Sequence, residues 1–128
     1  MCSSLTKRGR QLPIVLQMGY AFPMPHMIMI LTSIDQAKQA QWMTEQLLDK
    51  QLASCIQQLS GTSTYRWQGK LECSQEYYLH IKTTLALKEQ VVAWLEQHHP
   101  YETPEIIILE GECSESYGAW LSGEESYL

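Results

Sequence analysis

The densest group of side chains with metal-binding chemistry lies late in the chain, at His98, His99 and Glu102. Imidazole nitrogen and carboxylate oxygen suit borderline divalent cations such as Cu(II) and Zn(II). Adjacent histidines leave a helix in different directions, so binding one ion with both is geometrically awkward. A histidine at a helix C-terminus also interacts favourably with the helix dipole. Spacing alone therefore favours the end of a helix over a metal site.

A second set of candidate residues lies in β-rich sequence. Cys55 is either a buried, inert thiol or a ligand or nucleophile. Tyr65 and Trp67 are two residues apart, so a strand places both rings on one face. They form either an aromatic platform for a ligand or part of a subunit interface.

Lys82 is unusual because it lies within an apolar strand, where an unpaired charge is costly. It either lines a pocket or pairs with a carboxylate, for which Glu102 and Glu105 are the candidates. No G-x-S-x-G, P-loop or G-x-G-x-x-G motif is present. The sequence therefore predicts a protein that is not an enzyme, with catalysis at Cys55 or His99 as the alternative.

Composition narrows the function further. The 128 residues predict one main domain. Nine basic and fourteen acidic residues give a net charge of −5, and three of the basic residues precede Met27. Such an acidic body repels phosphate backbones, which argues against nucleic-acid binding, and no apolar run is long enough to span a membrane. Four scattered cysteines without a CxxC pair predict reduced thiols in a cytoplasmic protein.

The first 26 residues differ from the rest in composition. They contain three prolines and three basic residues. Residues 12–16 faintly resemble the apolar part of a signal peptide, but Pro13 interrupts them and no convincing cleavage site follows. The sequence favours an N-terminal extension at residues 1–26 and a functional domain at residues 27–128.

Periodicity within the domain predicts strand, helix, strand, strand, helix, strand and a short closing helix. Residues 27–32 and 105–109 have the apolar runs of buried strands, and Ser33 to Gln36 has the S-x-x-Q pattern of a capping box. The order predicts a ferredoxin-like α+β fold, with two helices on one face of an antiparallel sheet. The other face lacks a cover, which favours association with copies of the chain.

The two middle strands predict an unusually long hairpin, with arms at residues 54–69 and 70–84. Gly69 supplies the positive φ that a tight reversal needs. The first arm would span roughly 50 Å if extended, against about 17–20 Å for an ordinary strand. Either the hairpin bends, with Gly61 as the obvious place, or its tip packs on another chain.

Together these segments resemble the CutA divalent-cation tolerance family over about residues 27–121. The matching motifs are Ala53-Ser54-Cys55, Ser63-x-Tyr65-Arg66-Trp67-x-Gly69-Lys70-x-Glu72, Lys82-Thr83-Thr84, His99-Pro100-Tyr101-x-x-Pro104-Glu105 and Tyr117-x-x-Trp120. The resemblance implies a homotrimer whose hairpins wrap neighbouring subunits. It also implies a link to copper and other divalent cations, no organic cofactor and no established enzymatic activity.

The resemblance also implies where a ligand binds. Paired histidines before Pro-Tyr place a metal site at His98 and His99, with Glu102 as a further ligand. Leu31 occupies the position where copper-linked members carry a cysteine, so the thiolate that favours Cu(I) is missing. The family is similar in architecture to PII signalling proteins, so the alternative is a sensor that binds an anionic metabolite between subunits. Its ligand cleft would comprise Cys55, Tyr65, Arg66, Trp67, Lys82 and Tyr101.

Overall fold

The computed structural model describes residues 24–123, in which four strands form one antiparallel sheet. The strands are β1 (His26–Ile34), β2 (Cys55–Trp67), β3 (Lys70–Thr83) and β4 (Ile107–Glu112), and they lie in the order β2-β3-β1-β4. The helices are α1 (Ala37–Asp49), α2 (Lys88–His98) and α3 (Glu115–Leu121), and a 3₁₀ turn at Leu85–Leu87 precedes α2. This is the ferredoxin-like α+β arrangement that the element order predicts.

The hydrophobic core lies between one face of the sheet and the helices α1 and α2. Alternate residues of β1 and β3 point into it, as a period of two requires, and each helix contributes one apolar stripe. The core residues from these elements are Ile28, Ile30, Ile34, Leu79, Ile81, Ala40, Met43, Leu47, Val91, Trp94 and Leu95. Within residues 24–123, no helix is long and apolar enough to cross a membrane.

The predicted capping box at the start of α1 is wrong. Ser33 belongs to β1, because the pairing of β1 with β3 continues to Ile34 opposite Tyr77. The N-cap of α1 is Gln36, whose side chain makes no capping hydrogen bond. Strand pairing therefore overrides the local S-x-x-Q signal.

The β2–β3 hairpin is long and continuous. Its register runs without interruption from Cys55 opposite Lys82 to Trp67 opposite Lys70. The two-residue turn has positive φ at Gln68 (49°) and at Gly69 (78°), as a type I′ hairpin requires. Thirteen residues of β2 extend over about 40 Å.

Gly61 does not break this hairpin, so the predicted bend there is wrong. It stays paired with Glu76. A Cβ at Gly61 would lie 2.9 Å from Cε2 of the Tyr78 ring. The glycine gives the ring room to cross the strand, where the Tyr78 hydroxyl lies 2.7 Å from Ser63 Oγ.

The second face of the sheet is largely uncovered. We call it the open sheet face; its members share a face because they are directly opposed across the strands. They are Met29, Leu31, Leu59, Tyr78, His80, Lys82, Ile107 and Leu109. Leu59, Ile107 and Leu109 are 47%, 43% and 45% exposed. The prediction that the last strand is buried is wrong within one chain, because β4 is an edge strand exposed along its whole length.

Candidate functional site

The predicted metal ligand His98 is the last residue of α2. Its Nδ1 lies 2.9 Å from the carbonyl oxygen of Trp94, so Nδ1 carries the proton and donates. The ring stacks on Trp94, with centroids 4.4 Å apart, and the Trp42 ring centroid is 6.1 Å away. This leaves Nε2 of an exposed imidazole as an available ligand atom.

His99 is placed very differently from its neighbour. It is 7% exposed, and its Nε2 donates to the carbonyl oxygen of Ser33 at 2.8 Å. Its Nδ1 accepts the backbone N–H of Tyr101 at 3.1 Å. Both ring nitrogens are therefore used inside the fold, and metal binding at His99 requires one of these hydrogen bonds to break.

Glu102 lies exposed in the loop after α2. Within residues 24–123, no group of three or more His, Cys, Asp or Glu side chains is arranged to hold a metal ion. A single chain thus offers His98 Nε2 as the one unoccupied nitrogen of the paired histidines. The metal site predicted at His98, His99 and Glu102 remains a prediction.

Tyr101 anchors the same loop to the sheet. Its hydroxyl donates to Oε2 of Glu76 at 3.3 Å, and Glu76 is 8% exposed. Burial, followed by the negative charges of Asp35 and Glu76, raises the pKa of Tyr101 above its ordinary value. The phenol therefore stays protonated and continues to donate over the physiological pH range.

Lys82 and Cys55 meet at the opposite end of the open sheet face, where they are directly opposed on β3 and β2. The Lys82 ammonium lies 5.6 Å from the centre of the Tyr117 ring on α3, at cation–π distance. The predicted pairing of Lys82 with Glu102 or Glu105 is wrong, because neither carboxylate forms an ion pair with it among residues 24–123. An aromatic ring takes the place of a carboxylate.

Tyr117 enters the sequence argument only as part of the Tyr-x-x-Trp motif, yet it is central to this cluster. Its hydroxyl is buried without a hydrogen-bond partner in the described part of the chain. Burial, together with the nearby thiols of Cys55 and Cys113, raises the pKa of Tyr117. The serine side chain of Ser54 fixes α3 over this end of the sheet by donating to the Leu121 carbonyl oxygen at 2.7 Å.

The structure separates the six predicted cleft residues into three places within one chain. Cys55 and Lys82 are together, whereas Tyr101 contacts Glu76, which is opposite Gly61, six residues along β2 and so about 20 Å away. Residues 65–67 are at the hairpin tip, about 40 Å from Cys55 along the same strand. A single cleft containing all six would require more than one copy of the chain.

Comparison with known proteins gives a consistent result. The family model of the CutA1 divalent ion tolerance protein matches residues 28–124. The chain belongs to the CutA1 family.

Relatives and solved structures agree with this membership. The divalent-cation tolerance protein CutA of Yersinia pestis is 36% identical over 97 residues, which cover 74% of this chain and 81% of that protein. The structure of CutA from Synechococcus elongatus superposes with a TM-score of 0.74 and 28% identity, covering 81% of this chain and 94% of the other. CutA from Xylella fastidiosa gives a TM-score of 0.71 and 33% identity, covering 74% and 93%.

Proposed function

We propose that this CutA1-family chain acts as a homotrimeric divalent-cation tolerance protein, with copper among its ions, and that its role is regulatory rather than catalytic. The single observation that carries the assembly is the β2–β3 hairpin, which extends about 40 Å beyond any support from its own chain at the tip. Trp67 and Leu71 at that tip are 58% and 76% exposed. Apolar side chains at this level of exposure gain free energy when another copy covers them.

The open sheet face supports the same proposal. Leu59, Ile107 and Leu109 are each nearly half exposed on one surface of the sheet. The strands β2 and β4 are its two edges, and each presents unpaired backbone groups. A cyclic assembly that covers the face and pairs the edges removes both liabilities, and the number three follows the family resemblance.

For the cation, His98 Nε2 is the ligand atom that the fold leaves free, with Glu102 as a second donor from the loop. The hydrogen bond from His98 Nδ1 to the Trp94 carbonyl fixes the tautomer that exposes Nε2, as outer hydrogen bonds do for many metal-binding histidines. Imidazole and carboxylate favour Cu(II) or Zn(II). Leu31 supplies no thiolate, so a tight Cu(I) site does not form there.

Light scattering on the full chain tests the assembly. We expect a mass of about three times 14.8 kDa. Trp67→Ser lowers that mass or raises the protein concentration needed to maintain it. Leu85→Ser is the matched control, because Leu85 is 54% exposed but lies in the 3₁₀ turn ahead of α2. A monomer for the parent chain would disprove the proposal.

Calorimetry with Cu(II) tests the ligand. His98→Ala should weaken binding at least severalfold, whereas His26→Ala should not, because His26 lies at the start of β1 beside Glu110. Equal binding by the parent and His98→Ala would show that His98 only ends a helix.

A second function is favoured by the Lys82 cluster. An ammonium group next to a buried, unpartnered Tyr117 hydroxyl offers one positive charge and one donor to a small anion. This supports a PII-like sensor of an anionic metabolite. Thermal shifts with nucleotides and carboxylic acids, compared with metals, distinguish the two functions, because only a ligand of the folded state raises the melting temperature. Cys55, Cys73 and Cys113 are free thiols, and we place the protein in the cytoplasm on the strength of its scattered cysteines.

A further inference from the structure

His80 occupies the middle of the open sheet face. It lies on β3, directly opposite Leu31 on β1 and Gln57 on β2. It is half-buried, and neither of its ring nitrogens has a hydrogen-bond or ion-pair partner among residues 24–123. An imidazole without partners in the middle of a largely apolar face needs a reason, because covering it costs free energy unless something pairs with it.

The other described histidines are already engaged. Nδ1 of His26 lies 3.3 Å from Glu110 Oε1, His98 donates to the Trp94 carbonyl, and His99 uses both nitrogens. His80 is thus the histidine of the described chain with both nitrogens unengaged. Imidazole is a common ligand for Zn(II) and Cu(II), provided that it is neutral and accessible.

Symmetry turns this single side chain into a donor set. A closed three-fold assembly places the same residue of each copy around one axis. If the open sheet face is the surface that the copies bury, a residue at its centre is well placed to face that axis. Three imidazoles with one open position are a donor set that binds Zn(II) with tetrahedral geometry.

We propose that the His80 side chains of three copies form a divalent-cation site inside the assembly, separate from the site at His98. The inference rests on the proposed homotrimer, and the site is incomplete without the partner copies. A single chain accordingly shows no cluster of three ligating side chains within residues 24–123.

The charges on the open sheet face are compatible with this site. Lys82 and Tyr78 are the ionisable neighbours of His80 on β3, two residues away on either side. The Lys82 ammonium lies over the Tyr117 ring at the end of the face, so a local aromatic partner stabilises its charge. The residues opposite His80, Leu31 on β1 and Gln57 on β2, carry no charge.

Zinc and cobalt binding to the full-length protein tests the proposal. Metal-free protein is titrated with Zn(II) and with Co(II), and the bound metal per chain is measured beside the mass by light scattering. We expect one ion per three chains and a visible Co(II) absorption of tetrahedral nitrogen ligation. His80→Gln and His80→Leu should both lose that ion and its absorption while keeping the assembled mass.

Control variants separate this site from the other histidines. His26→Gln and His98→Ala should retain the ion held by one in three chains. Full retention of that ion by both His80 variants, or no Zn(II) bound by an assembled parent, overturns the inference and leaves the proposed function standing. A monomeric parent chain overturns both.

Discussion

The imidazole of His99 and the carbonyl oxygen of Ser33 are joined by a 2.8 Å hydrogen bond that ties the end of α2 to β1. His99→Ala removes this bond and leaves the Ser33 carbonyl and the Tyr101 N–H without partners in a buried place. We expect it to lower the free energy of unfolding by about 2–4 kcal/mol, measured by urea denaturation at fixed protein concentration.

His98→Ala is the control for this prediction. It removes an exposed ring and a single hydrogen bond, so its cost should be no more than about 1 kcal/mol. Equal costs for the two variants would mean that the buried hydrogen bonds of His99 contribute little to stability.

Gly61 and Tyr78 allow a test of the continuous hairpin. In Gly61→Ala the new methyl group would lie 2.9 Å from the Tyr78 ring, which must move away and stretch its contact with Ser63. We expect a loss of about 1–3 kcal/mol. Gly111→Ala is the matched control, since a methyl group there would meet nothing within 4 Å, and it should cost little. Gly61→Ala combined with Tyr78→Ser should recover much of the loss if the clash is the cause.

Local patterns predicted most of the fold because its core follows simple periods. The alternation in β1 and the helical stripe through Met43, Leu47 and Val91 each point at one core, so the element order and the sheet follow. The turn at residues 68–69 could also be predicted, because its conformation depends on its own residues. The S-x-x-Q signal at Ser33 failed because pairing with a distant strand decided where β1 ends.

The candidate site could be predicted less well because its contacts are long-range. His99 and Ser33 are 66 residues apart in sequence, and Tyr101 and Glu76 are 25 apart. No local spacing indicates that His99 is locked while His98 is free. The partner of Lys82 also depends on where α3 folds back, which is why an aromatic ring was missed and a carboxylate was expected.

Tyr101 should make stability fall at high pH. The folded state raises the pKa of its phenol above 10.0, so the folded chain holds this proton more tightly than the unfolded chain. The contribution is complete below pH 10 and is lost as the pH rises above it, since the unfolded state then releases the proton first. Denaturation from about pH 9 to 11.5 should show a steeper decline for the parent than for Tyr101→Phe. Parallel declines would contradict the assignment.

Thr32 and Thr83 are a matched pair of buried threonines with opposite expected responses to valine. Both are almost fully buried, at 0% and 1% exposed. The Thr32 hydroxyl has no partner within residues 24–123, whereas the Thr83 hydroxyl donates to the Leu52 carbonyl at 2.7 Å. Valine keeps the shape of threonine and removes the hydroxyl, so Thr32→Val should raise the free energy of unfolding by about 1 kcal/mol or more. Thr83→Val should lower it by about 1–3 kcal/mol, because the Leu52 carbonyl loses its donor. Urea denaturation of the two variants beside the parent measures both, and a loss of stability in Thr32→Val equal to that in Thr83→Val would show that the Thr32 hydroxyl has a partner in the assembled protein.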